Sequence, residues 1–125
     1  MARRPTSDSA AATLGALLRA QAFSGVDWTL ATSPALHLRI GNLPPALDRQ
    51  AALLQLGQLF DRIQGFGGFC EAWQRNEAVF VETEVLARVA QRRLRLPCVI
   101  VARAQARLIE DLRFYLDPSP LNWKA

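Results

Sequence analysis

Near the end of the chain Arg113, Tyr115 and Asp117 stand on alternate residues, with Asp111 one step before them. Side chains two apart in a strand share a face, so this spacing sets two carboxylates, a phenol and a guanidinium in one row. Two readings fit the row. If the face is solvated or meets a second subunit, Arg113 pairs with Asp111 or a glutamate at little net gain. If the sheet curls so that the face lines a cavity, burial raises the Asp117 pKa and the arginine moderates it. The carboxyl could then take up and return a proton while Tyr115 donates a hydrogen bond to a developing oxyanion.

Glu82 and Glu84 form a second alternate pair, roughly 6–7 Å apart along a strand, a separation that acid/base pairs share with any solvated strand face. Parity with Val79, Val81, Thr83 and Val85 points the glutamates outward. His37, the only histidine, faces away from Leu36, Leu38 and Ile40 by the same rule and has no ligand cluster at recognisable spacing. No Gly-rich phosphate loop or dinucleotide fingerprint occurs, so neither a cofactor nor a metal is expected. Trp28, Trp73 and Trp123 are large for so short a chain and can wall a cavity or fill a core.

The elements that must position these groups are bounded by 125 residues, 50% hydrophobic and 21% charged, which suit one domain with one core. The net charge of +4 comes almost wholly from arginine, since Lys124 is the only lysine. Arg88, Arg92, Arg93 and Arg95 make the one dense cluster. It reads as a solvated hairpin tip, because no aromatic interleaves it as a stacking platform requires; nucleic acid is not an expected partner. Cys70 and Cys98 read as buried thiols rather than a disulfide framework. The start has two arginines before an apolar stretch, but Asp8 and Arg19 break it, so it does not read as a signal peptide. No run approaches a membrane span, no membrane partner is expected, and the cytoplasm is the expected compartment.

Leu14, Leu17, Leu18, Ala22 and Phe23 recur at helical spacing after N-cap candidates in Thr6 to Ser9, with Gly25 as the stop. Asp27 can cap a second short helix, closed by Ser33-Pro34. Leu36, Leu38 and Ile40 then alternate as a strand, and Asp48 can cap a third helix carrying Leu53, Leu56, Leu59, Phe60 and Ile63 to a left-handed stop at Gly65. Four further strands follow, over roughly 68–75, 78–88, 94–104 and 108–117. Helices first and hairpin-connected strands after imply an α+β fold, a curved antiparallel sheet with helices on one face.

Three strings carry a resemblance: GNLPPALDRQA, the pair NEAVFVETEVLARV and LRLPCVIVARA, and LIEDLRFYLDPSPL. In order and spacing they look like the SnoaL-like branch of the nuclear transport factor 2 (NTF2) superfamily, over residues 10–121. The resemblance implies a conical α+β barrel, with a bent antiparallel sheet wrapped around N-terminal helices and one apolar pocket. Residues 1–9 would be a flexible arm and 122–125 a tail. It also implies a homodimer joined through the outer sheet face. The activities of such proteins include polyketide cyclisation, ketosteroid isomerisation, dehydration, limonene-type epoxide hydrolysis and binding without turnover.

Position by position, the likeness to the epoxide hydrolases fails at most of the water-activating set. Leu38 and Ile40 stand where a tyrosine and an asparagine belong, and Thr83 and Val85 where an arginine and an aspartate belong; only Asp117 keeps its counterpart. The comparison implies an inward Thr83, Val85 and Asp117, and with Asp117 an inward Tyr115 and Arg113. One reading is therefore a cofactor-free isomerase or cyclase for a small, largely apolar metabolite, with Asp117, Tyr115 and Arg113 as catalytic groups. Trp28, Leu38, Ile40, Trp73, Thr83 and Val85 would bind the substrate. The other is a non-catalytic ligand-binding or dimerisation module of the same fold.

Overall fold

The computed structural model describes residues 9–20 and 22–123, apart from the side chains of 68–71. Helix α1 spans Ala10–Arg19 and starts where the Ser9 hydroxyl accepts the Ala12 N–H at 3.0 Å, filling one of the donors a helix start leaves open. It stops a turn before the expected Gly25: Ala20 is extended, and the chain beyond brings Phe23 against Trp28 and Phe60. Helix α2 covers Gly25–Ala31. Its cap is Ser24, whose hydroxyl accepts from the Asp27 N–H at 3.2 Å; Asp27 lies instead in the first turn, where the helix dipole favours its charge.

Strand β1, Thr32–Ile40, begins at once, so Ser33-Pro34 lies inside a strand rather than in a connecting turn. A proline is tolerated there because β1 is an edge strand and its pairing is irregular between Thr32 and His37. Helix α3, Arg49–Arg62, has the expected cap, with the Asp48 carboxylate accepting the Ala51 N–H at 2.8 Å. It ends on extended Ile63 rather than on a left-handed glycine, and Gly65 opens the next strand. At Gly41 the expected loop does need glycine: φ is +53°, and a Cβ would strike the Leu116 carbonyl and the Pro118 ring.

Strands β2 (Gly65–Arg75), β3 (Ala78–Val89), β4 (Arg92–Gln105) and β5 (Leu108–Tyr115) follow, then a 3-10 turn at Ser119–Leu121. The five strands lie in the order β1-β5-β4-β3-β2. Three ladders are antiparallel as expected, but β1 runs parallel to β5, with Leu38 opposite Leu112 and Ile40 opposite Phe114, so the sheet is mixed. The parallel pair follows from connectivity, since the whole of α3 and three strands separate the two partners. One sheet face carries Val79, Val81, Val85, Ile100, Ala102, Leu112 and Phe114, all buried against helical residues such as Leu14, Leu18, Leu56 and Leu59. Cys98 is buried on that face, while the Cys70 side chain lies outside the described residues. The expected α+β architecture is what the chain builds.

Candidate functional site

Strand β5 alternates strictly at its C-terminal end. Leu112 and Phe114 are buried, whereas Arg113 and Tyr115 are exposed, Tyr115 by 52%, and Asp117 beyond the strand is exposed as well. The expectation that the three polar groups look into the cone is therefore corrected. The interior positions of a strand paired on both sides go to the residues that gain most from leaving water, and these are the leucine and the phenylalanine.

Local bonding agrees with an exterior position. The Asp117 carboxylate accepts the Ser119 N–H at 3.0 Å and the Ser119 hydroxyl at 2.8 Å. The backbone bond first, and the hydroxyl second, hold its pKa below the ordinary carboxylate value, the reverse of the raised acid that proton transfer in an apolar pocket requires. The Arg113 guanidinium donates to Asp111 from Nε and Nη2, each at 3.4 Å. Tyr115 and then Asp111 favour its charged form. Tyr115 and Asp117 border an open groove of about 410 Å³ with Gly41, Asn42, Leu116 and Pro118, and neither Trp28 nor Trp73 reaches it.

The side chains assigned to substrate binding divide between the two faces. Leu38, Ile40 and Val85 are buried to within 1%, and Trp28 is 1% exposed. Thr83 is also interior, with its hydroxyl donating to the Gly67 carbonyl at 3.0 Å, which satisfies the group where it is buried. Trp73, by contrast, is 39% exposed on the outer face, so it cannot share a pocket with Trp28.

Aromatic packing takes up the space around Trp28. Its ring meets Phe23 at 6.4 Å and Phe60 at 6.2 Å; Phe60 meets Phe66 at 5.9 Å, and Phe66 meets Phe114 at 6.1 Å. Five rings thus run from the α1–α2 connection through α3 to the sheet. The helical periodicity showed Phe60 and the strand periodicity Phe114, but only tertiary packing joins them. Trp123 lies against the core with the Arg62 guanidinium 4.6 Å above its ring, which ties down the expected tail as far as that residue.

The outer face has its own order. In one row Trp73 pairs with Phe80, Phe80 with Val101, Val101 with Arg113, and Arg113 with Arg39. In the next, Glu82 pairs with Val99 and Val99 with Tyr115. Phe80 is 42% and Val99 41% exposed. Glu82 and Glu84 lie on this side as parity predicts, Glu84 within 3.5 Å of Arg95. The apolar exposure of Phe80 and Val99 was not singled out from the sequence, although the same parity that turns the glutamates outward also turns Phe80. Among the described residues no group of three histidine, cysteine or acidic side chains is placed to hold a metal, and no helix is long and apolar enough to cross a membrane.

No protein-family model matches this chain, and no curated protein matches it either. Solved structures do. A SnoaL-like polyketide cyclase from Jannaschia sp. CCS1 superposes with a TM-score of 0.78 at 11% identity, over 96% of this chain and 94% of that one. The chain has the nuclear transport factor 2-like fold. A Catenulispora acidiphila protein with a ketosteroid isomerase-like fold matches at 0.72 and 11% identity, over 90% and 97% of the two chains. An LEH-like epoxide hydrolase from M. tuberculosis matches at 0.67 and 17% identity, over 94% and 88%. The NTF2-like resemblance read from the sequence is borne out in the fold. Identities this low carry the architecture and not the chemistry.

Proposed function

We propose that this chain is a non-catalytic NTF2-like module that forms a homodimer through its outer sheet face. The exposed apolar block of Trp73, Phe80, Val99 and Tyr115 is the observation that carries the reading. Isolated apolar side chains on a surface need no explanation, but a contiguous block across four strands costs solubility unless it is covered. Polar groups around it suit a second copy, since the face holds Glu82 and Glu84 as well as Arg39 and Arg113. A two-fold axis lying in the interface can set the acids of one copy near the arginines of the other. The interior supports a module without turnover: at the positions that the resemblance to epoxide hydrolases marks as polar and catalytic, Leu38, Ile40 and Val85 are packed and Thr83 is tied to the Gly67 carbonyl, while Asp117 lies outside the cone.

Sedimentation equilibrium tests the proposal. The wild-type chain is expected at twice its monomer mass and Phe80→Glu at the monomer mass, with unchanged circular dichroism, because a carboxylate at that exposed position is harmless in a monomer and unpaired in an interface. A monomeric wild type, or a variant that stays dimeric, would overturn it.

A further inference from the structure

Between Glu84 and Glu110 the chain has no acidic residue, while Arg88, Arg92, Arg93 and Arg95 fall within one hairpin. Strand β2 accompanies β3 only as far as Gly65 opposite Leu86, and β5 accompanies β4 only as far as Tyr115 opposite Val99. Beyond those points β3 and β4 continue as a two-stranded ribbon, with Ala87 opposite Leu94 and Val89 opposite Arg92, and turn at Ala90-Gln91. The root of the ribbon is held, since Ala87 is buried and Leu94 and Leu96 pack against the core. From Leu86 to the turn it extends roughly 10 Å by strand rise.

The charges on this ribbon oppose one another. Arg88 stands directly opposite Arg93, a like-charge cross-strand pair that costs stability in the isolated chain. Arg95 reaches Glu84 at 3.5 Å, but Arg88, Arg92 and Arg93 are exposed and make no ion pair with any described residue. A polyanion laid against the tip would remove the repulsion and add charge-assisted hydrogen bonds, for which the guanidinium fork suits phosphate.

The form of the ribbon selects among polyanions. A single nucleic-acid strand needs aromatic stacking platforms, and the ribbon has none. Stable attachment to a lipid surface takes apolar insertion as well as charge, and none of the large exposed hydrophobic residues lies on the ribbon. A duplex backbone requires neither, so the missing aromatics exclude single strands only. The major groove of B-form DNA is about 12 Å wide and admits a two-stranded ribbon between two walls of phosphate. Strand alternation puts Arg88 and Arg93 on one face of the ribbon and Arg92 on the other, so each wall meets a guanidinium.

We propose that the β3–β4 ribbon binds the backbone of double-stranded DNA without sequence preference. The ribbon lies beyond the apolar block of the outer face, so the proposal does not depend on dimerisation.

The test is fluorescence anisotropy of a labelled, mixed-sequence duplex of about 20 base pairs, titrated with the full-length protein at about 50 mM salt and above. Saturable binding is expected, with the logarithm of affinity falling linearly with that of salt at a slope of about −3. Arg88→Gln combined with Arg93→Gln should weaken binding at least about tenfold and reduce the slope by about two. Arg19→Gln combined with Arg75→Gln removes the same charge from exposed positions elsewhere and should cost less than about threefold. The proposal is overturned if the duplex shows no saturable binding at the lowest salt or if the two pairs of substitutions weaken it equally. It is also overturned if a single strand of the same length, or vesicles rich in phosphatidylserine, bind as tightly as the duplex. Should the tip pair fail to fold, Arg92→Gln alone still decides: the slope falls by about one if the ribbon holds phosphate, and an unchanged slope sinks the assignment.

Discussion

The two faces of the sheet are made from alternate residues of the same strands, yet they have opposite chemistry. Inside, Val81, Ile100 and Phe114 exclude water almost completely. Outside, Glu82, Val99 and Tyr115 form a row that is open to solvent and mixes acid, aliphatic and aromatic groups. A one-residue offset therefore separates the side chains that hold the fold from those available for recognition. Where the resemblance to epoxide hydrolases leads one to expect charged and polar groups inside, this chain has Leu38, Ile40 and Val85 with Thr83 as the one hydroxyl, and its ionisable residues on β5 are on the exterior.

Phe114 and its neighbour Tyr115 make the sharpest probe of that contrast. Phe114→Ala should cost about 3–5 kcal/mol in urea unfolding, because it empties a fully buried site at the end of the aromatic series. Tyr115→Ala in the monomeric Phe80→Glu background should change stability by no more than about 0.5 kcal/mol. Equal losses at the two positions would mean that the faces are not energetically distinct.

Thr83 tests a polar donor placed on the inner face of the sheet. Thr83→Val keeps the shape but leaves the Gly67 carbonyl without its 3.0 Å partner, and a loss of about 1 kcal/mol in the same assay is expected. A stabilised variant would show that the hydroxyl is a burden the core merely accommodates.

The smallest effect belongs to Asp117 and appears only in acid. Folding lowers its pKa, so the unfolded chain takes up the proton first as pH falls. The stabilisation is complete above the ordinary carboxyl range near ~4 and is lost as pH drops through the lowered folded value. Parent and Asp117→Ala should therefore differ in melting temperature at neutral pH and converge toward about pH 2. A gap that persists or widens in acid would contradict the Ser119 cap.

Much of the architecture was legible because it rests on local rules. Asp48 capped its helix as its side chain dictates, and period two placed Leu36, Leu38, Ile40, Glu82 and Glu84 on the correct sides. Local rules also misled. Ser24 rather than Asp27 caps α2: the Ser24 hydroxyl accepts the Asp27 N–H, whereas a cap at Asp27 would start the helix three residues later, and both residue types are good caps. Two hairpins turn on Ala90-Gln91 and Ala106-Arg107, all four at positive φ without a glycine or asparagine to announce it; the long ladders on either side impose that conformation. The site was least legible. Alternation told that Asp117 and Leu116 face opposite ways but not which way was in, and the resemblance supplied an answer that the packing of Phe114 reverses.

The parallel ladder between β1 and β5 carries a consequence for how the protein is made. Leu38 leaves the ribosome some seventy residues before its partner Leu112 in β5. During synthesis β1 must wait without that partner until β5 has emerged, and pairings so distant in sequence are slow to form. Pro34, exposed on that waiting strand, interrupts the edge that another nascent chain could otherwise join.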